Sequence, residues 1–230
     1  MQQKLDLLYK YCQEWCLEIN VNKTKIIIFN KRGQLIKVQF TINDIDIECI
    51  KTYKYLGIIL SNSGSFKVAK SHLYNKALKS SFKIYKDIKP TDPSIKTLLH
   101  LFDHIIKPIA TYGSDIWGVL SASMQSKDKC LYEIFKNWET ENLHMKFCKF
   151  IIGSGKKSTN FAVLSELGRQ QIFYSIISAI LSYCHRLENT PKNSLIYNAY
   201  KESMILDSCN INSWFSTVTY LCKKTGHNMV

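Results

Sequence analysis

The sequence predicts an α+β fold: a small, mostly antiparallel sheet with one helix packed on it, followed by an all-helical region. Three observations carry this. Short β-branched and aromatic runs bounded by Asn, Gly and Ser fill residues 26–60. From Phe66 onwards apolar residues recur at three- and four-residue steps. Asn62-Ser63-Gly64-Ser65, a turn sequence, separates the two regimes. With 230 residues, 46% hydrophobic and 21% charged, the chain can build one large or two small cores without covalent staples, and it is too apolar for disorder.

Leu5, Leu8, Tyr9, Cys12, Trp15 and Cys16 predict an amphipathic first helix. Ile26 to Phe29 reads as a buried strand, closed by the turn Asn30-Lys31-Arg32-Gly33. Leu35 to Ile42, Ile45 to Ile50 and Tyr53 to Leu60 read as three more strands. Phe66 to Ile88 is a long helical pattern with Ala69, Leu73, Ala77 and Ile84 along one side. Pro90, Asp92 and Pro93 mark a break, and Ser94 to Ala110 is the next helix, apolar nearly all round. Ser121 to Lys129 is a polar linker, and Cys130 to Ile152 a helix. Gly153 to Lys157 is a basic turn without P-loop spacing, and a buried helix runs from Ile172 through His185. Helical stretches near Ser194 to Leu206 and Asn212 to Lys223 finish the chain.

The net charge of +13, from 31 Lys and Arg against 18 Asp and Glu, points to a polyanionic partner, with nucleic acid the first candidate. The excess is concentrated: between Ser61 and Pro90 seven lysines stand against one acid, Asp87. Lys76, Lys79, Lys83 and Lys86 fall on one helical face with no acidic i,i+4 ladder, which suits a phosphate backbone and gives affinity without sequence readout. The blander alternative is a solvated lysine face with no partner.

Eight irregularly spaced cysteines and no signal-peptide start fit a reducing compartment, cytoplasm or nucleus. The longest apolar run, Ile172 to Cys184, is interrupted by Ser175, Ser178 and Ser182 and is too short for a bilayer, so no membrane partner is expected. Cys12 and Cys16, and the scattered Cys184, His185, Cys209, Cys222 and His227, lack metal-ligand spacing and predict no zinc site. Asp44, Asp46 and Glu48 would share a strand face, but their alternation with Ile45, Ile47 and Ile50 is that of a half-buried hairpin with a solvent side.

Trp15-Cys16-Leu17-Glu18-Ile19-Asn20, Lys23-Thr24-Lys25 and Phe29, followed by Tyr53-Lys54-Tyr55-Leu56-Gly57-Ile58, resemble the end of the palm of reverse transcriptases from LINE-type, non-LTR retrotransposons. Three later strings are similar to the same family in order: Pro108 to Gly118, Asn142 to Lys149 and Asn160 to Arg169. The resemblance implies a palm remnant in residues 1–60, a thumb-like basic helical region in 61–120 and a C-terminal helical region in 121–230. It implies that Lys23 and Lys25 lie near departing pyrophosphate and that Tyr55, Leu56 and Gly57 form a primer grip, where Gly57 lets backbone approach closely. In the family the first helix follows the loop of paired catalytic aspartates, which this sequence is expected to lack. Mg²⁺ is therefore implied only for the full-length enzyme, and no cofactor is expected here.

The resulting expectation is a reverse-transcriptase fragment, inactive alone, that holds RNA–DNA hybrid or duplex without sequence preference. A missing palm-and-fingers segment would be a further partner, and one sheet face or edge should be left apolar and exposed. The alternative is a non-enzymatic helical interaction module, or an inert retroelement remnant.

Overall fold

The computed structural model describes residues 1–88, 92–121, 124–125 and 128–226; the expected break at Pro90 and the ligand candidate His227 lie outside them. The fold is α+β, with two separate two-stranded antiparallel sheets and a majority of helix. Two units form, Met1–His72 and Leu73–Val230.

In the first unit, α1 (Gln2–Glu14) buries Leu5 and Cys12, and Leu5 packs with Ile26, Ile42 and Ile47. The Gln2 side chain fixes its start, its amide donating to the Thr41 carbonyl at 2.9 Å while Thr41 N–H donates to Gln2 Oε1 at 3.1 Å. This arrangement supplies Thr41 with the pair of bonds a neighbouring strand would give. β1 (Thr41–Ile42) and β2 (Ile45–Asp46) form a hairpin whose turn residues Asn43 and Asp44 both have positive φ, at 49° and 58°.

β3 (Thr52–Tyr55) and β4 (Ile58–Ser61) form the second hairpin. Tyr53 to Leu60 is therefore not one strand but two, folded at Leu56-Gly57, where φ is 46° and 89°. Positive φ at both central residues is what a two-residue hairpin of type I′ demands, and Gly57 supplies it without strain.

Ile26 to Phe29 does not form a strand. It makes one parallel bridge, Ile26 to Cys49. Ile26 N–H donates to the Glu48 carbonyl at 3.1 Å, and Ile50 N–H donates back to the Ile26 carbonyl at 2.9 Å. Residues 35–40 likewise form no strand, though the Phe40 carbonyl accepts from Ile47 N–H at 2.8 Å. β-branched composition favours extension, but a strand exists only where a neighbour continues it.

α2 (Lys67–Ile88) belongs to the first unit up to His72 and to the second from Leu73. In the second unit Ala77 packs with Leu98, Phe102, Ile106, Ala110, Leu143, Phe147 and Ile172. The expected helix from Ser94 is present but not uniform: α3 (Ile95–Leu101), a π-helical stretch (Phe102–Ile106) and α4 (Lys107–Ala110) follow one another. Ser94 caps it, its hydroxyl accepting from Thr97 N–H at 3.2 Å. Leu98, Phe102, Ile106 and Ala110, all buried, recur every four residues. On a pure α-helix that rhythm drifts by about 120° over three steps, and the wider π turn takes the drift back.

α5 (Ser114–Trp117) lies against α9 (Phe173–Glu188), made possible by Gly118: a Cβ there would stand 2.5 Å from the Ser114 carbonyl and 2.8 Å from Ile180. The expected helix from Cys130 divides into α6 (Leu131–Phe135) and α7 (Glu139–Ile151). At the break Trp138 turns extended and packs on Phe135 and Trp117, at ring distances of 4.6 and 6.3 Å. α8 (Asn160–Glu166) covers Met145 and Cys148 with Val163 and Leu164. α10 (Leu195–Ser208) and α11 (Trp214–Thr225) close the unit, with buried Thr217 Oγ1 accepting from Leu120 N–H at 3.0 Å. No helix among the described residues is long and apolar enough to cross a membrane.

Candidate nucleic-acid interface

On α2 the sequence separates two faces. Leu73, Ala77 and Ser81 are buried and Tyr74, Leu78, Ile84 and Tyr85 half-buried, with Tyr85 stacked on Phe147 at 5.6 Å. Lys76, Lys79, Lys83 and Lys86 are all exposed. At 100° per residue they span an arc of about 80°, roughly opposite the buried face. None enters an ion pair among the described residues, and Asp87 is the only acid on the helix. From first to last they cover about 15 Å of helix axis, about the axial length of four phosphate steps on one strand of a duplex. Phe82 stands beside them, 62% exposed on an otherwise polar side. Sequence reasoning passed over this ring; its signal was an aromatic off the apolar phase of the helix.

The first unit places the other candidates at and beside the second hairpin. Tyr55 and Leu56 sit at its tip, 58% and 74% exposed, and Gly57 completes the turn. Tyr53, on the same strand face as Tyr55, donates its hydroxyl to the Lys23 carbonyl at 3.3 Å. That bond ties the loop carrying the exposed Lys23 to the hairpin. Lys25 differs: its ammonium is 2.8 Å from Glu48 Oε2, so its charge is compensated locally.

The three alternating acids do not line one strand. Asp44 lies in the turn between β1 and β2, Asp46 accepts from the Gln39 amide at 3.1 Å, and Glu48 holds Lys25. They do not fit the paired carboxylates that the family's Mg²⁺ chemistry requires. No cluster of three or more His, Cys, Asp or Glu with metal-holding geometry occurs among the described residues. Cys12 is buried and Cys16, past the helix end at φ 54°, is exposed.

Within the Pro108 to Gly118 string, Trp117 is buried and donates its indole N–H to the Tyr112 carbonyl at 2.6 Å, while Tyr112 is half exposed. Sequence reasoning also passed over a polar cluster in the second unit. Arg169 makes two bonds to Asp103, at 2.5 and 2.6 Å, and this bidentate pairing holds the Asp103 carboxyl below the usual carboxylate range. Behind it lie buried Glu141 and His144, 4.0 Å apart. Asp103 in the π-helical stretch, Glu141 and His144 in α7, and Arg169 in the connection after α8 lie too far apart in sequence to signal one cluster. No family model matches this chain, and no curated protein and no solved structure is significantly similar to it.

Proposed function

We propose that the chain is a fragment of a non-LTR retrotransposon reverse transcriptase that binds RNA–DNA hybrid or duplex through the lysine face of α2, without polymerase chemistry of its own. The observation that carries it is the set of four exposed, uncompensated lysines on the side of α2 away from its core. Counterion release from the duplex supplies the affinity, and the contact reads shape and charge, not bases. The hairpin tip of Tyr55, Leu56 and Gly57, with Lys23 tethered beside it, is the primer-grip element of this reading. Exposed Leu7, Leu8, Tyr11 and Trp15 on and after α1, and Leu35, Ile36 and Val38, support an apolar surface of the first unit that a further palm segment would cover.

Titrating the purified chain against a labelled hybrid at several salt concentrations tests the proposal. Replacing Lys76, Lys79, Lys83 and Lys86 by Gln should flatten the log–log salt slope by roughly three to four, at about 0.9 per contact. Replacing Lys136, Lys146, Lys149 and Lys201 should do much less. Two of that control set are already engaged, Lys146 with the Tyr74 hydroxyl at 3.4 Å and Lys149 with the Lys156 carbonyl at 3.0 Å. Equal losses from both sets would reduce the binding to diffuse charge attraction and remove the α2 surface from the account.

One observation favours the interaction-module reading: Leu195, Ile196 and Ile205 of α10 stand 85%, 55% and 47% exposed. Under that reading neither quadruple variant changes hybrid binding.

A further inference from the structure

The cluster around Asp103 forms the floor of a pocket of about 250 Å³ between the π-helical stretch, α7 and residues 168–175. Lys107 and Arg169 line the pocket, and Asp103 is the one carboxylate in its lining, with both oxygens bonded by Arg169; the Glu141 carboxylate lies behind His144. Lys107, half-buried on the next turn of the helix, lies close enough to act on the Asp103 charge yet makes no hydrogen bond. Arg169 has donors beyond the two that Asp103 uses.

His144 is the decisive residue. It is 1% exposed and lines the pocket, and neither ring nitrogen has a hydrogen-bond partner. Its ring is fixed by stacking on Phe102 at 5.0 Å. Glu141 Oε1 stands 4.0 Å from Nδ1 and is itself without a partner, while Glu141 Oε2 accepts from Phe173 N–H at 3.2 Å. A buried imidazole with both nitrogens unmet is costly, and native interiors keep such groups only where something meets them. The cationic donors of this pocket, on Lys107 and Arg169, lie with the unmet His144 ring around a carboxylate already spent, and the other polar side chains lining it are neutral.

We propose that this pocket binds a phosphate group, held by Lys107, Arg169 and His144. In the bound state the His144 ring donates to the phosphate from one nitrogen and to Glu141 from the other. Glu141 thus orients the ring as well as capping the start of α9. A phosphate fills only part of the volume, and Tyr174 and Gln170 line the remainder, which suits a phosphate monoester carrying a sugar. The group has two sources of the same chemistry: a small phosphorylated molecule, or the terminal phosphate of a nucleic-acid strand. The proposal does not rest on the lysine face of α2.

Calorimetric titration of the full chain with inorganic phosphate, at constant ionic strength set with chloride, tests it. Saturable binding is expected, weakened at least tenfold (about 1.4 kcal/mol) by Lys107→Gln and by His144→Gln, and unchanged by the four α2 Lys→Gln substitutions. Lys107 is partly solvent-facing, so its variant remains informative should the His144 variant fail to fold. No binding beyond that of chloride, wild-type affinity in Lys107→Gln, or loss in the α2 variant alone would each overturn the proposal. A second arm, in the α2 variant, compares a short oligonucleotide with and without a 5′-phosphate. Tenfold preference for the phosphorylated strand supports the strand-end source; equal binding of the two strands, with inorganic phosphate still bound, supports the small molecule.

Discussion

At the scale of single residues, Leu56 carries the clearest local cost. Its φ of 46° puts a γ-branched side chain in the left-handed region, where most L-residues lose about 1–2 kcal/mol. Leu56→Asn should therefore stabilise the first unit by about 1 kcal/mol, and Gly57→Ala destabilise it by about as much, both read from urea midpoints. At Gly118 space, not φ, decides: Gly118→Ala must push a methyl against the Ser114 carbonyl and Ile180, and should cost about 2–3 kcal/mol. Burial pushes the Cys148 thiol up to about 12 and the Cys184 thiol to about 11. Native-state alkylation followed by peptide mapping should label exposed Cys16, Cys130 and Cys209 well before these two. Asp103 contributes stability with a definite sign. Its carboxyl is lowered, chiefly by the Arg169 hydrogen bonds, so the contribution is complete above the ordinary carboxylate value of about 3.9 and is lost as pH falls through the depressed native one. Arg169→Met should lower stability at neutral pH and flatten its decline below about pH 4.

At the scale of elements, the helices were more legible than the strands: β1 to β4 fall in or within a residue of the expected strand spans but are shorter, and Ile26 to Phe29 is not a strand. α2, α9, α10 and α11 appear within a few residues of their sequence expectations, and α2, α9 and α11 each carry an apolar stripe that a partner face buries. Ile26 to Phe29 has stronger β composition than β3, yet β3 is the strand, because Leu56-Gly57 folds its own partner onto it. Local turn chemistry outranked side-chain propensity. The division between α6 and α7 was hidden for a related reason: Trp138 leaves the helical path to meet Trp117, a residue far away in sequence. The lysine face of α2 was readable in full, since it needs only helical phase. Glu141 and His144 stand one helical turn apart, but that spacing does not say that the turn is buried, and nothing in the spacing of Asp103 and Arg169 brings that pair together.

At the scale of the whole molecule, the second unit has its own core, running from Ala77 through Phe102 and Phe147 to Ile172. A chain of residues 73–226 should fold cooperatively by itself, with α-helical circular dichroism and a single urea transition. The proposed chemistry, or its absence, also belongs at this scale. The purified chain should incorporate no deoxynucleotide on any primer–template with Mg²⁺, because Asp44, Asp46 and Glu48 face different neighbours and offer no paired carboxylates. Extension that disappears in the Asp44→Ala, Asp46→Ala double variant would assign catalysis to those acids; extension that persists in it would place a polymerase site elsewhere.

The π-helical stretch has a bearing on how this chain can change length. Removing His104 turns the four-four-four spacing of Leu98, Phe102, Ile106 and Ala110 into four-three-four, the ordinary beat of an α-helix. All four side chains would still meet the core, on a helix shorter by one residue. The same deletion inside α9 would rotate everything after it by about 100° and expose its apolar face. Residues 102–106 are thus a seam in the middle of a helix where one codon can be lost.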